Sequence, residues 1–211
     1  MFQSENMKAT TLIILIISVL VVLFTITQGF VSKASKNIES LAYKVLKEYP
    51  DFEIRAYSKA NFSSVAMPKR SYKEMSSSGF RVLAGYIFGG NEENKSIAMT
   101  SPVAMELGDT MTMKFMIPSE YNLDELPKPN NDQIKFTAES EKIVAAIRYG
   151  GWNSDEKLEE KKKELIVLLA SEGIEHTSEF TYLGYNPPYE VVNRRNEVTV
   201  ELVNYSAGSE D

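Results

Sequence analysis

The segment from residue 184 to residue 198, GYNPPYEVVNRRNEV, holds the residues best suited to chemistry in this sequence. Arg194 and Arg195 place two permanent positive charges in a short connection between two predicted strands, and a guanidinium group can bind a carboxylate through two parallel hydrogen bonds. Pro187 and Pro188 have no backbone N–H to donate, so they interrupt strand pairing and stiffen the connection. The pattern fits the rim of a site for an anionic ligand, and it also fits a solvated loop whose arginines pair with acidic neighbours.

The composition excludes several other kinds of site. The chain has no cysteine, which rules out disulfides, thiol catalysis, cysteine-ligated zinc and covalent haem attachment. His176 is the single histidine, so sites that need two or three histidines are excluded, and no nucleophile-elbow motif accompanies it. The net charge of −6, without a long basic run, argues against a nucleic-acid partner. We therefore expect a binding protein and not an enzyme.

The most apolar segment lies near the amino terminus. Leu12 to Val31 is a run of 20 residues without a charge, roughly 30 Å long as a helix, which matches the thickness of a bilayer core. We predict that residues 10–31 are an uncleaved, single-pass transmembrane anchor behind a short tail, residues 1–9. The lysines after the run favour a cytoplasmic domain by the positive-inside rule, whereas the usual export of N-terminally anchored bacterial proteins favours a periplasmic one, so both sides stay open.

The remaining sequence predicts an α+β fold built from two similar halves. Segments that alternate with a period of two are interrupted by helical segments, and the order strand, strand, helix, strand, strand occurs twice. Eight such strands could form a barrel or two facing sheets, with two helices outside. We assign residues 32–48 to a linker, residues 49–205 to one domain and residues 206–211 to a disordered tail.

The two helical segments show which faces should be buried. In the first, Tyr72, Met75, Gly79, Leu83 and Tyr86 form one stripe, which we predict to be core. Its other side is the better candidate for a pocket wall, and it carries Ser76, Phe80, Ala84 and Phe88. In the second, we expect Asn153 to cap the amino terminus and Gly173 to end the helix.

Six stretches together resemble the SOUL haem-binding family, and the similarity covers roughly residues 45 to 204. They are FEIRAY at 52–57, GYIFGGN at 85–91, IAMTSPV at 97–103, KFMIPSEY at 114–121, IRYGGW at 147–152 and the double-proline stretch at 184–198. The resemblance implies a pseudo-two-fold, duplicated ββαββ arrangement that forms a distorted eight-stranded β-barrel flanked by two helices. It also implies non-covalent binding of haem or related tetrapyrroles in an apolar groove between the first helix of the domain and the double-proline loop.

On that resemblance, the ligand would contact residues of both elements. Phe80, Ala84 and Phe88 would form the wall, Pro187 and Pro188 would preorder the loop, and Arg194 and Arg195 would bind the propionates. Adjacent residues of an extended segment point to opposite sides, so it could be that one arginine alone reaches the ligand. The axial iron ligand is unknown, because the sequence selects none of the candidates, which are His176, Met75, Met99, Met105 and the tyrosines.

A second hypothesis is a module that binds or senses other flat hydrophobic or cationic ligands. The doubled fold is also similar to that of gyrase-inhibitor-like and multidrug-sensing domains, which favour cations through a buried carboxylate. Glu106 or Glu201 could take that part in this chain.

Overall fold

The computed structural model describes residues 13–28, 38–68, 71–187 and 189–205, and it divides the chain into two compact units. The described residues of the smaller unit are 13–28, 187 and 189–192, and those of the larger unit are 38–186 and 193–205, without residues 69 and 70. The predicted amino-terminal tail, the predicted carboxy-terminal tail and both ends of the predicted anchor lie outside the described residues.

The smaller unit contains a helix, α1, over residues 13–28. Its apolar side chains are at least half exposed from Ile13 to Ile26. At its end, Gln28 Nε2 donates a hydrogen bond to the Tyr189 carbonyl (3.3 Å), and the Val191 N–H donates to Gln28 Oε1 (3.2 Å). Among the residues that the structure describes, no helix combines the length and the apolar character that crossing a membrane requires.

The larger unit carries the strands and two further helices. Its strands are β1 (Glu39–Ser40), β2 (Tyr43–Glu48), β3 (Glu53–Tyr57), β4 (Ala60–Pro68), β5 (Thr100–Ser101), β6 (Val103–Leu107), β7 (Thr110–Met116), β8 (Ile134–Glu139), β9 (Lys142–Tyr149), β10 (His176–Gly184) and β11 (Asn196–Leu202). The helices are α2 (Tyr72–Ile87) and α3 (Asp155–Ser171), and a short 3-10 helix spans Leu123–Glu125. Nine strands form one antiparallel sheet in the order β2-β3-β9-β11-β10-β6-β7-β4-β8, and β1 pairs with β5 in parallel.

The sheet order confirms the duplicated ββαββ arrangement. The halves are β3-β4-α2-β6-β7 and β8-β9-α3-β10-β11, and they meet where the third strands, β6 and β10, pair. Each half gives its first strand to the other: β3 pairs with β9 of the second half, and β8 pairs with β4 of the first half. Since neither half keeps a complete sheet of its own, the two halves share one fold.

In place of the expected distorted barrel of eight strands, the described residues form an open, curved half-barrel of nine. The additional strand is β2, which pairs with β3 and lies within residues 32–48, the segment assigned to a linker. Its polar composition is typical of an edge strand, where charged side chains protect an unpaired backbone. The two edges, β2 and β8, each have one strand neighbour in the described sheet, so the barrel does not close.

Both helices pack on the same face of the sheet and form one apolar core with it. The stripe predicted on α2 is confirmed, because Met75, Leu83 and Tyr86 are buried there, and α3 buries Leu158, Leu165 and Leu169. Ser71 Oγ caps α2 by accepting from the Glu74 N–H, and Gly173 follows the end of α3 with a φ of +66°. The predicted cap of α3 is shifted by one residue: Ser154 caps the helix, and Asn153 accepts a hydrogen bond from the Tyr149 hydroxyl instead.

We expect Gly79→Val to destabilise the fold, because α2 lies close to the sheet at this position. A Cβ atom at Gly79 would lie 2.5 Å from Met67 Cε and 3.2 Å from Met113 Cβ, whereas one at Gly85 would meet nothing within 4 Å. Overpacking should lower the free energy of unfolding by about 1–3 kcal/mol relative to Gly85→Val, which makes the same change of helix propensity. Urea unfolding of the two variants checks this, and equal midpoints would show that α2 has room to move away.

Candidate ligand-binding site

The outward face of α2 carries two exposed aromatic rings. Phe80 and Phe88 are 40% and 63% exposed, and Ala84 lies between them, largely buried. The Phe80 ring also packs edge-on against Phe115 of β7, with 5.3 Å between the ring centroids. Residues 80, 84 and 88 recur every four positions and therefore share one side of the helix. α2 thus presents an apolar surface to solvent on the side predicted from the sequence.

Arg195 belongs to a buried charge cluster on the opposite face of the sheet. Its Nε donates to Glu197 Oε1 (2.9 Å), its Nη2 donates to the Tyr43 hydroxyl (2.9 Å), and its guanidinium lies over the Tyr185 ring, 3.9 Å from the centroid. Glu197 is fully buried and also accepts two hydrogen bonds from Arg55, which is 1% exposed (2.7 and 3.2 Å). Arg195 is therefore held by groups of the protein itself.

The two arginines keep Glu197 ionised. Burial by itself would raise the pKa of this carboxyl group. The hydrogen bonds and charge of Arg55, followed by the charge of Arg195, outweigh burial and hold the pKa of Glu197 below its usual value. A buried carboxylate is thus present in the fold, but its charge is neutralised within the cluster.

Arg194 lies in different surroundings from Arg195. Its guanidinium lies over the Trp152 ring, 4.2 Å from the centroid, and its Nη2 donates to the Asn186 carbonyl (3.3 Å). It is near Tyr182, whose hydroxyl lies 3.3 Å from that of Tyr72 on α2. Burial raises the pKa of Tyr182, and the charge of Arg194 acts in the opposite direction. Arg194 is therefore the arginine that lies toward the α2 side of the sheet.

The strand register relates the aromatic surface to Arg194. Phe115 pairs with Val103, Val103 with Gly184, and Gly184 with Asn196, two residues after Arg194. These four paired residues form a row across the sheet from β7 to β11. Three strand spacings, about 14 Å, separate the two ends of the row. The row thus has an aromatic end at Phe80 and a cationic end at Arg194.

The other predicted site residues are not brought into this row. Pro187 belongs to the smaller unit, where its carbonyl accepts a hydrogen bond from the Glu190 N–H (3.1 Å), and Pro188 lies outside the described residues. Among the candidate iron ligands, Met75 and Met105 are buried in the core, while Met99 is 48% exposed. His176 begins β10, with its Nδ1 atom 2.6 Å from the Thr177 carbonyl oxygen. Across the described ranges, no three His, Cys, Asp or Glu side chains are grouped so that they could hold a metal ion.

A separate cavity of about 360 Å³ lies on the helix-free face of the sheet. Its apolar lining includes Leu41, Tyr57, Phe62, Ala104, Val144 and Leu183. Lys114 on its wall is paired with Glu106 and with Glu139 (2.6 Å), and Glu201 is exposed beside them. Glu106 and Glu201, the carboxylates named in the second hypothesis, therefore line one cavity, although neither is buried.

The charge cluster of Arg55, Glu197 and Arg195 was not predicted. Alternation along FEIRAY assigns Arg55 to the side opposite Ile54, which the sequence alone identifies with solvent. The partner, Glu197, is 142 residues away. The only sequence signal is that Arg55 and Glu197 both lie inside the stretches that carry the family resemblance.

Comparison with known proteins agrees with that resemblance. Residues 38–201 match the family described as SOUL heme-binding protein. Heme-binding protein 2 of Mus musculus is 31% identical over 156 residues, which cover 70% of this chain and 76% of that protein, and Heme-binding protein 2 of Homo sapiens gives the same values. Heme-binding protein 1 of Xenopus laevis is 25% identical over 181 residues, covering 82% and 95%.

Solved structures share the fold at much lower identity. The EcmrR C-terminal domain has a TM-score of 0.57 at 8% identity and covers 78% of this chain and 100% of that one. A hydrolase from Listeria innocua has a TM-score of 0.54 at 8% identity, covering 74% and 94%. The likeness to these two proteins concerns the fold alone. The match over residues 38–201, together with the identity to the mammalian proteins, shows that the chain belongs to the SOUL haem-binding protein family.

Proposed function

We propose that this protein binds haem or a related tetrapyrrole non-covalently, with one face of the ligand against α2 and a carboxylate near Arg194. The observation that carries the proposal is the exposed pair Phe80, on α2, and Phe88, directly after it, in a chain of a haem-binding family. The other side of α2 is buried from Met75 to Tyr86. A ligand that is flat and apolar, with charge at one edge, is complementary to an aromatic surface that ends at a cation.

The residues present fit such a ligand. Phe80, Ala84 and Phe88 would contact the ring, and the surface beside them at Gly85 is open, because even a Cβ atom there would meet nothing within 4 Å. Arg194 is oriented by Trp152 and by the Asn186 carbonyl, so less ordering is needed when it donates to a carboxylate. Arg195 serves the fold by neutralising Glu197. When bound, haem would supply a redox-active iron centre.

The role we propose is that of a carrier, buffer or sensor and not of an enzyme. The cysteine-free sequence and its single histidine support this, because they leave few groups for nucleophilic or general acid–base catalysis. His176 and Arg194 are also on different elements, β10 and the loop before β11.

Titration of the purified full chain with haem tests the proposal. We expect a shifted, intensified Soret band that saturates at one haem per chain with micromolar affinity. A folded chain, shown by circular dichroism, that binds neither haem nor metal-free porphyrin in the micromolar range would refute it.

We further propose that residues 10–31 anchor the protein in a membrane by a single pass. The charge-free run from Leu12 to Val31 and the exposed apolar side chains of residues 13–26 support this. The full chain should stay with membranes after an alkaline carbonate wash, and a variant that begins at residue 33 should be released. Release of both would refute the anchor. A reporter active only in the periplasm, fused after residue 205, would assign the side.

A second candidate function is binding of small lipophilic cations in the cavity on the helix-free face. It is favoured by the position of Glu106 and Glu201 in one cavity of a size suited to a small ligand. A fluorescent lipophilic cation such as rhodamine 6G should then bind without changing the Soret titration, and Glu201→Gln should weaken it. Competition between rhodamine and haem would instead assign both to one site.

A further inference from the structure

The loop of residues 189–192, in the smaller unit, presents an apolar surface to which no role has been assigned. Tyr189, Val191 and Val192 are between 42% and 60% exposed. Glu190, the charged residue between them, is 3% exposed, so its carboxylate is not part of this surface. Contiguous exposed apolar side chains, unlike single ones, are typical of a contact with another molecule or with a membrane.

This loop is hydrogen-bonded to the end of α1. Gln28, the last residue of the helix, donates from Nε2 to the Tyr189 carbonyl (3.3 Å) and accepts from the Val191 N–H through Oε1 (3.2 Å). The nitrogen and the oxygen of one side-chain amide are thereby paired with two backbone groups of the loop. Because polar groups enter an apolar environment at low cost only when they are paired, this contact suits the loop and the helix end to the same environment.

The position of Gln28 in the predicted anchor indicates the depth of the loop. Gln28 lies three residues before Val31, where the predicted anchor ends, and three residues of helix span about 5 Å. The loop is therefore expected where the acyl chains meet the headgroups, and not in the middle of a bilayer. Tyrosine is enriched at this level, because its ring is apolar and its hydroxyl is polar. The apolar side chains of α1 are exposed as far as Ile26, so the loop continues their surface.

We propose that Tyr189, Val191 and Val192 insert into the interface of the bilayer that holds α1, so that two separate parts of the sequence contact lipid. This inference rests on the proposed anchor, residues 10–31, and adds a second lipid-binding surface to it. The partner is the headgroup and upper acyl-chain region of a phospholipid bilayer. Since the surface presents no charge, insertion should not require an anionic lipid.

Depth-dependent fluorescence quenching tests the proposal in the full chain. Because the sequence has no cysteine, Val192→Cys can carry a single environment-sensitive NBD label. In phosphatidylcholine vesicles its emission should shift to the blue. A lipid nitroxide near the headgroup should quench it about twofold more than one near the chain end, as expected for a side chain roughly 5–10 Å into the interface. Val192 is exposed, so the change should leave the fold intact.

Two further labelled positions serve as controls. Leu20→Cys lies in the middle of α1 and should be quenched most by the nitroxide near the chain end, which reports that the anchor has inserted. Val167→Cys replaces an exposed valine of α3 and should keep the emission of a label in water, without quenching by either lipid.

Two results would overturn the inference while the anchor stands, as shown by quenching of the Leu20 label. The first is equal emission and quenching at Val192 and Val167. The second is a blue-shifted emission at Val192 that neither nitroxide quenches, which would mean that protein, such as a second copy of the chain, covers the loop. If the Leu20 label is not quenched and the chain does not float with the vesicles, the anchor and this inference both fall.

Discussion

Replacing Glu197 with glutamine is expected to lower the free energy of unfolding by about 3–5 kcal/mol, the usual effect of removing one partner of a buried ion pair. Glutamine has nearly the same shape, so the change removes charge and one acceptor while keeping the volume. Arg55, which is almost completely buried, would lose its main counter-ion, and Arg195 would lose its carboxylate. Urea or thermal unfolding followed by circular dichroism measures the loss.

The matched control is Glu201→Gln on the same strand and the same side of the sheet. Glu201 is exposed, so its replacement should change the stability by no more than about 0.5 kcal/mol. If both variants unfold at the same denaturant concentration, the cluster does not hold β3 to β11 as the structure indicates.

The same residue sets a pH dependence. The pKa of Glu197 is lower in the folded protein than in the unfolded chain, where a glutamate titrates near pH 4.3. Its stabilising contribution is therefore complete above that pH and is lost as the pH falls through the lower, folded pKa. The acid limb of the stability curve should be shallower in Glu197→Gln than in the unmodified chain, and parallel acid limbs would contradict this assignment.

Replacing both Phe80 and Phe88 with serine is expected to weaken haem binding about 30-fold or more. Burying what remains exposed of the two rings is estimated to contribute about 2–3 kcal/mol, and each 1.4 kcal/mol is a factor of ten in affinity. The Soret titration described above measures the change. Because the Phe80 ring also packs against Phe115, the circular dichroism spectrum of the variant must match that of the unmodified chain before the affinities are compared.

Val167→Ser is the corresponding control on α3. Val167 is also an exposed apolar residue on the outer face of a helix, but it lies on the helix that carries no predicted site residue. It should bind haem like the unmodified chain. Equal loss in both variants would point to non-specific adsorption of haem on apolar surface, and no loss in either would move the ligand away from α2.

Helix faces could be predicted from the sequence because their cause is local. The three- and four-residue spacing of Met75, Gly79, Leu83 and Tyr86 determines which side of α2 meets the sheet, whatever the sheet order is. Once that side is known to meet the sheet, the opposite side, which carries Phe80 and Phe88, is predicted to be exposed. The doubled strand and helix order was visible for the same reason.

Strand neighbours and charge partners could not be predicted, because alternation describes one strand at a time. It does not show that β3 and β8 are exchanged between the halves, or that β2 extends the sheet. It also places Arg55 on the side away from the helices, without showing that this side is buried by Tyr43, Tyr185 and a carboxylate from the last strand. The different roles of Arg194 and Arg195 became apparent only from their contacts, which are with Trp152 for Arg194 and with Glu197 for Arg195.

The exchange of first strands also constrains how the protein is synthesised. When only the first half has emerged from the ribosome, β3 and β4 lack β9 and β8, the second-half strands with which they pair. The sheet is complete only after Leu202, the last residue of β11, has emerged. Contacts across so much of the chain form slowly, and unpaired strand edges can meet other nascent chains in the meantime. The first half therefore cannot fold completely before the second half is synthesised. Its unpaired strands are exposed, and most in need of a chaperone, during synthesis of the second half.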